Sequence, residues 1–191
     1  MSVGEIGIVA LQGDVREHAH LVRTLGWTPR EVRQPDDLRG LDGLVFPGGE
    51  STTIARLADR FGLVEPLREA IGGGLPTLGT CAGLIFLSSE VTEGSQVLLG
   101  VLDVTVQRNA FGRQNDSFEA EVDVKGFDTP FHAVFIRAPW VERVGPHVEV
   151  LAEVEGHPVL VRDGSIVAAA FHPELTGDSR VHKMALSMGA A

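Results

Sequence analysis

The 191-residue sequence holds one cysteine, no run of basic residues and no long apolar stretch, and each shortage closes off a class of protein. A single thiol cannot form an internal disulfide and leaves no partner for a CxxC redox or zinc pattern, which fits a reducing compartment. With 16 Lys and Arg against 26 Asp and Glu, the net charge of -10 repels a phosphate backbone, so nucleic acid is not an expected partner. No apolar stretch approaches the ~20 residues of a membrane helix, and Glu5 stands where a signal peptide would carry a basic residue. A cytoplasmic protein with no membrane segment is expected.

What is present suits a folded globular chain. A hydrophobic fraction of 43% with 22% charged residues argues against disorder. No repeat, low-complexity tract or linker divides the sequence, so a single domain is expected over residues 1–191, large enough to bury roughly 70% of the surface its unfolded form exposes.

The first half alternates between two hydrophobic periods. Ile6 to Leu11 is a continuous apolar run closed by Gln12-Gly13, the pattern of a strand buried on both faces. Asp14 reads as the cap of a helix over Val15 to Leu25, where Val15, Ala19, Val22 and Leu25 recur at helical spacing and Gly26 ends the run. Further strands are expected near Glu31 to Arg33, at Gly43 to Phe46 and at Leu75 to Leu78, with helices over Thr52 to Phe61 and Glu65 to Ile71 and another starting at Leu84 to Leu87. Such alternation implies a parallel sheet. From Val101 onward the segments Val101 to Val106, Phe118 to Val124, Ala133 to Ile136, Val148 to Val154, Pro158 to Val161 and Ile166 to Phe171 all read as strands. They predict an antiparallel or mixed layer added to the first-half sheet, before a last helix over Ser179 to Met188.

Gly79-Thr80-Cys81-Ala82-Gly83 has the form G-x-C-x-G between a strand and a helix, a nucleophile elbow with cysteine in place of serine. A sharp turn strains the nucleophile's backbone, and glycines two residues to either side remove side chains that would collide with strand and helix. At a reference pKa near 8.5 only about 3% of a thiol is ionised at pH 7, so a helix N-terminus and a neighbouring imidazolium must raise that fraction. Taken alone, Cys81 reads equally as a small buried residue, the commonest role of a lone cysteine.

His172-Pro173-Glu174 follows the last apolar strand. In extended geometry, residues two apart face the same way, so the Glu174 carboxylate can hold one nitrogen of His172 and leave the other for a thiol. By itself the tripeptide is a common surface turn. Together, two strand-end motifs that supply nucleophile, base and orienter make a Cys81-His172-Glu174 triad the economical reading.

Pro47 to Thr52 joins the third strand to a helix, and its glycines leave backbone N–H groups uncovered near the same sheet edge. With the Ala82 N–H, that of Gly49 could hold an oxyanion, although Ser51 or Thr52 could equally be a plain helix cap. His18 and His20 point to different faces of a helix, so no metal pair is expected there, and solvent or partner contact is. Arg108, Arg113 and Arg137 suit a carboxylate, but most arginines are simply solvated.

These residues together resemble a family, the class I triad-type glutamine amidotransferases, and within it the glutaminase subunits of pyridoxal 5'-phosphate synthase. The elbow and His-Pro-Glu are shared across the superfamily. Gly-Gly-Glu-Ser-Thr at 48–52, Arg-Asn-Ala-Phe-Gly-Arg-Gln at 108–114 and Ile136-Arg137-Ala138-Pro139 resemble this subunit in particular, and the matching stretches run nearly end to end. Ala110 departs from the serine more usual in the family.

The resemblance implies a three-layer α/β sandwich with a mainly parallel central sheet, no cofactor and no metal. It implies that L-glutamine is bound around Gly48, Gly49, Glu50 and Ser51, by Arg108 and by Ile136-Arg137. It also implies a partner, a (β/α)8-barrel synthase subunit that takes up the ammonia, usually in an assembly of twelve pairs. Two other readings stay open on the residues: a cysteine peptidase or amidase on the same scaffold, and a non-catalytic binding subunit. Glu17, His18 and the last helix are the residues expected to face the partner.

Overall fold

In the computed structural model, residues 4–108, 110 and 117–187 are described. The order of elements in the first part is β1 (Glu5–Val9), α1 (Val15–Thr24), β2 (Thr28–Val32), β3 (Gly43–Phe46), α2 (Ser51–Arg60), α3 (Val64–Gly72), β4 (Thr77–Thr80) and α4 (Ala82–Leu87). Strands then dominate: β5 (Ser88–Val91), β6 (Leu102–Gln107), β7 (Ser117–Val122), β8 (Phe131–Ile136), β9 (Trp140–Val144), β10 (Glu149–Val154), β11 (His157–Asp163) and β12 (Ile166–Ala169), before α5 (Arg180–Leu186).

The main sheet has seven strands in the order β10-β11-β12-β4-β3-β1-β2. Its pairs from β2 through β1, β3 and β4 to β12 are parallel, and β11 and β10 extend it antiparallel. The parallel strands are short and apolar because both faces are covered: Ile6, Ile8, Leu44, Val45, Phe46, Leu78 and Val167 are all at most 1% exposed. A mixed α/β architecture with added antiparallel strands is therefore the observed fold.

Two neighbouring residues on β4 show the layering. Successive side chains of a strand point to opposite faces. Thr80 meets His18 of α1, which in turn meets His182 of α5, whereas a Cβ on Gly79 would press on Leu87 and Gly83 of α4. Helices thus cover both faces, and the sheet is the middle layer.

The sequence pattern misplaced several boundaries. β4 begins two residues later than expected because Pro76 cannot donate to a ladder, and pairing starts where the Thr77 N–H reaches Ser165 O at 2.9 Å. α4 lasts only six residues, since the chain turns extended at Ser88, whose hydroxyl donates to the Ile85 carbonyl at 2.7 Å. β5 and β9 carry polar sequences, SSEV and WVERV, and form a separate three-stranded sheet around β6; nothing in their alternation announced a strand. Among the described residues, no helix is long and apolar enough to cross a membrane.

Candidate active site

Three strand ends converge at one edge of the sheet. Cys81 sits between β4 and α4 with φ 48° and ψ -102°, a backbone region that L-residues rarely occupy. Its N–H donates to Ala169 O at 2.8 Å, which pins the turn to the end of β12. The flanking glycines are needed for packing. A Cβ on Gly83 would fall on the Phe46 carbonyl oxygen, and one on Gly79 would lie 3.0 Å from the Gly83 carbonyl carbon as well as under Leu87. The thiol is 7% exposed and lies 3.9 Å from the Ile136 carbonyl oxygen.

His172 and Glu174 meet, but by another route than the expected extended segment. Pro173–Leu175 forms a single 3-10 turn, which favours proline at its first position. The turn still brings His172 Nδ1 and Glu174 Oε1 to 2.7 Å, and the His172 N–H donates to Val134 O on β8 at 2.8 Å. A carboxylate can only accept, so the imidazole proton on Nδ1 faces Glu174 and Nε2 is left for other work.

Asp14 is the unanticipated member. It occupies the N-cap position of α1, yet its side chain makes no cap hydrogen bond; Oδ2 lies instead 3.4 Å from His172 Nδ1. Burial disfavours the imidazolium, but the neighbouring Asp14, Cys81 and Glu174 outweigh it, and the His172 pKa is pushed up to about 12. Burial also raises the Glu174 carboxyl, with His172 pulling the other way. Asp14, His172 and Glu174 have ligand-type atoms within 4.8 Å of one another, and within this cluster His172 Nδ1 is paired with Glu174 Oε1 at 2.7 Å.

Cys81 and His172 open onto a cavity of about 390 Å³. Gly49, Glu50, Ser51, Ala82, Arg108, Ile136 and Arg137, all singled out in the sequence, line it, joined by Gln12, Asp14 and Ile85. Gly48 stands just behind: a Cβ there would lie 2.9 Å from His172 Nδ1 and strike Cε1. Arg113, and Asn109 beside Arg108, lie outside the described residues.

The cap of α2 is Glu50 rather than Ser51 or Thr52. Its carboxylate accepts from the Thr52 N–H at 3.1 Å and the Thr53 N–H at 2.7 Å. Partial burial opposes the charge, yet these amides and the two threonine hydroxyls hold the Glu50 pKa down to about 2. The cavity wall therefore carries a permanent anion, with Arg108 3.6 Å away. Arg137 takes φ 43°, a left-handed residue at the rim beside half-exposed Ile136. Gln12 Oε1 accepts from the Glu50 N–H at 2.6 Å and braces the loop from the end of β1.

His18 does not face solvent. It is fully buried behind Glu174, while His20 is exposed, so the two cannot share a metal.

A parallel α/β sheet with a cysteine elbow beside a His-Glu pair is the architecture of the amidotransferases, and the comparisons agree. The chain matches the SNO glutamine amidotransferase family over residues 8–189 and belongs to it. It is 56% identical over 189 residues to the pyridoxal 5'-phosphate synthase subunit PdxT of Mycolicibacterium vanbaalenii, covering 96% of this chain and 97% of that one. It is 59% identical over 187 residues to PdxT of Frankia alni, with 96% and 94% covered. A crystal structure described as a glutamine amidotransferase superposes with a TM-score of 0.93 at 47% identity, covering 97% of this chain and 99% of that one.

Proposed function

We propose that this chain is the glutaminase subunit of a pyridoxal 5'-phosphate synthase, a single domain over residues 1–191 that hydrolyses L-glutamine to L-glutamate and ammonia. The observation that carries the chemistry is the strained Cys81 at the mouth of a helix, opening with His172 onto one cavity whose walls hold fixed charges of both signs.

Cys81 is the nucleophile, His172 the acid and base, and Glu174 the orienter. His172 takes the thiol proton, sulfur adds to the side-chain amide carbon, and the C–N bond breaks as the imidazolium returns a proton to departing ammonia. Water then adds to the thioester, its proton going to His172, and the C–S bond breaks to release glutamate and restore the thiol. The N–H of Ala82, unpaired by position in the first turn of α4, and that of Gly49 hold the oxyanion of both tetrahedral states. Arg108 and Arg137 suit the α-carboxylate of an amino acid, and Glu50 its α-ammonium, with Gly48, Ser51 and Ile136 shaping the wall.

The ammonia passes to a (β/α)8-barrel synthase subunit, in an assembly of twelve pairs, in the cytoplasm. Similarity to PdxT along nearly the full length of both chains supports this reading. Glutamate release from L-glutamine, with and without the synthase subunit and with Cys81→Ala as control, tests it. Partner-stimulated release lost in the variant is expected; no release in either mixture would leave a binding subunit.

A further inference from the structure

A buried polar chain runs from the triad away from the cavity, and the chemistry above does not use it. Glu174 gives Oε1 to His172, while Oε2 is buried without a hydrogen-bond partner and faces His18 Nε2 at 3.5 Å. The same Nε2 lies 3.2 Å from the hydroxyl of Thr80, the residue before Cys81. On its other side, His18 Nδ1 is 2.8 Å from His182 Nε2, and both rings are fully buried. Three elements, α1, β4 and α5, thus meet at the back of Glu174.

Hydrogen-bond accounting selects one proton arrangement. Burial holds both His18 and His182 below the ordinary imidazole pKa, so both rings are neutral and share a single proton across the 2.8 Å contact. With that proton on His18, its bare Nε2 would direct a lone pair at the Glu174 carboxylate, and His182 would bury an Nδ1–H that has no acceptor. With the proton on His182, the His18 Nε2–H faces Glu174 and Thr80, and only a lone pair is left over at His182 Nδ1. The second arrangement leaves neither ring with an unpaired donor and sets an N–H, 3.2 Å from the Thr80 hydroxyl, within 3.5 Å of the orphaned Oε2.

We propose that His18, fixed as its Nε2–H tautomer by His182, is a positioning residue that holds Glu174 Oε2, so that Oε1 stays on His172 Nδ1. The proposal rests on reading Cys81, His172 and Glu174 as the triad. The groups around His18 are Glu174 and His172 on the last turn, Thr80 on β4 and His182 on α5, with Asp14 one helical turn away.

The test has a readout independent of turnover. In the full wild-type chain labelled with 15N-histidine, long-range proton–nitrogen spectra should show protonated Nε2 and bare Nδ1 at His18; the opposite tautomer would overturn the proposal. In the complex with the synthase subunit, His18→Leu should lower kcat for glutamate release about tenfold to a hundredfold, the weight of one hydrogen bond to a charged group, with KM for glutamine nearly unchanged. His18→Gln, whose amide can place an N–H near the same point, should recover most of it, and the His172 Nδ1 proton resonance should shift in the leucine variant alone. A folded His18→Leu chain that keeps wild-type kcat would sink the idea. Should that variant not fold, the wild-type tautomer decides; should wild type release no glutamate, the triad reading fails while the tautomer remains measurable.

Discussion

Asp14 Oδ2 lies 3.4 Å from His172 Nδ1, the same nitrogen that meets Glu174 Oε1 at 2.7 Å, so two carboxylates converge on one imidazole proton. The shorter, buried contact owns the proton, and Asp14, on the cavity wall, adds its charge. Asp14→Asn should therefore lower the His172 pKa, and Glu174→Gln should remove orientation as well. NMR titration of His172 checks the first, with an unmoved titration counting against the Asp14 contact. Glutamate release checks the second: a loss of about a hundredfold or more is expected in Glu174→Gln, and a smaller one in Asp14→Asn.

The strain at Cys81 predicts a split between stability and activity. Cys81→Ala should abolish turnover and leave the fold intact, because the change removes one sulfur atom whose contact with the Ile136 carbonyl oxygen is long, at 3.9 Å. Cys81→Gly, equally inactive, should be the more stable of the two by about 1 kcal/mol, since glycine accepts a φ of 48° that alanine resists. Urea unfolding of the two variants makes the comparison; equal midpoints would mean the turn stores no strain.

Gly48 predicts a defect without a lost functional group. A methyl there would strike the His172 ring, so Gly48→Ala should displace the imidazole and cut kcat steeply. Far-UV circular dichroism should remain that of wild type. An active Gly48→Ala chain would show that the ring has room to move.

The buried histidine pair predicts acid sensitivity. Above the ordinary imidazole pKa, His18 and His182 are neutral whether folded or unfolded and contribute no slope. As pH falls below about 6.5, the unfolded chain binds protons that the folded chain refuses, so stability drops; for His182 the drop ends near its folded value of about 4, an effect of about 3 kcal/mol. His172 has the opposite sign: its contribution is complete below the ordinary imidazole value and is lost as pH rises toward about 12, so it leaves the acid range unmasked. Urea midpoints should fall between pH 6 and pH 5 in wild type, where His172 no longer offsets the pair, and should fall less in His182→Gln, where His18 alone refuses a proton; an equal fall in both chains would count against His182.

Cys81 and the His172-Pro173-Glu174 run were legible because each is a local signature: a G-x-C-x-G turn and a tripeptide, both at the ends of apolar strands. The route by which Glu174 reaches His172 was not, since the same three residues can be extended or make one turn of 3-10 helix. The hydrogen bond from the His172 N–H to Val134 O on a distant strand accompanies the turn. Asp14 reads as a helix cap in sequence for the same reason. N-cap position is a local property, whereas the loss of the cap contact to His172 depends on a residue 158 positions further along.

By itself, the sequence determined the alternation of strands and helices, the elbow, the glycine loop after β3 and the placing of His172 and Glu174 at a strand end, because backbone propensity and turn chemistry act over a few residues. Only the tertiary structure decided that β12 lies beside β4, which brings His172 to Cys81. It also decided that His18 and His182, 164 residues apart, meet fully buried behind Glu174. Those contacts depend on sheet order and helix packing, and a buried polar group finds its partners through the whole fold.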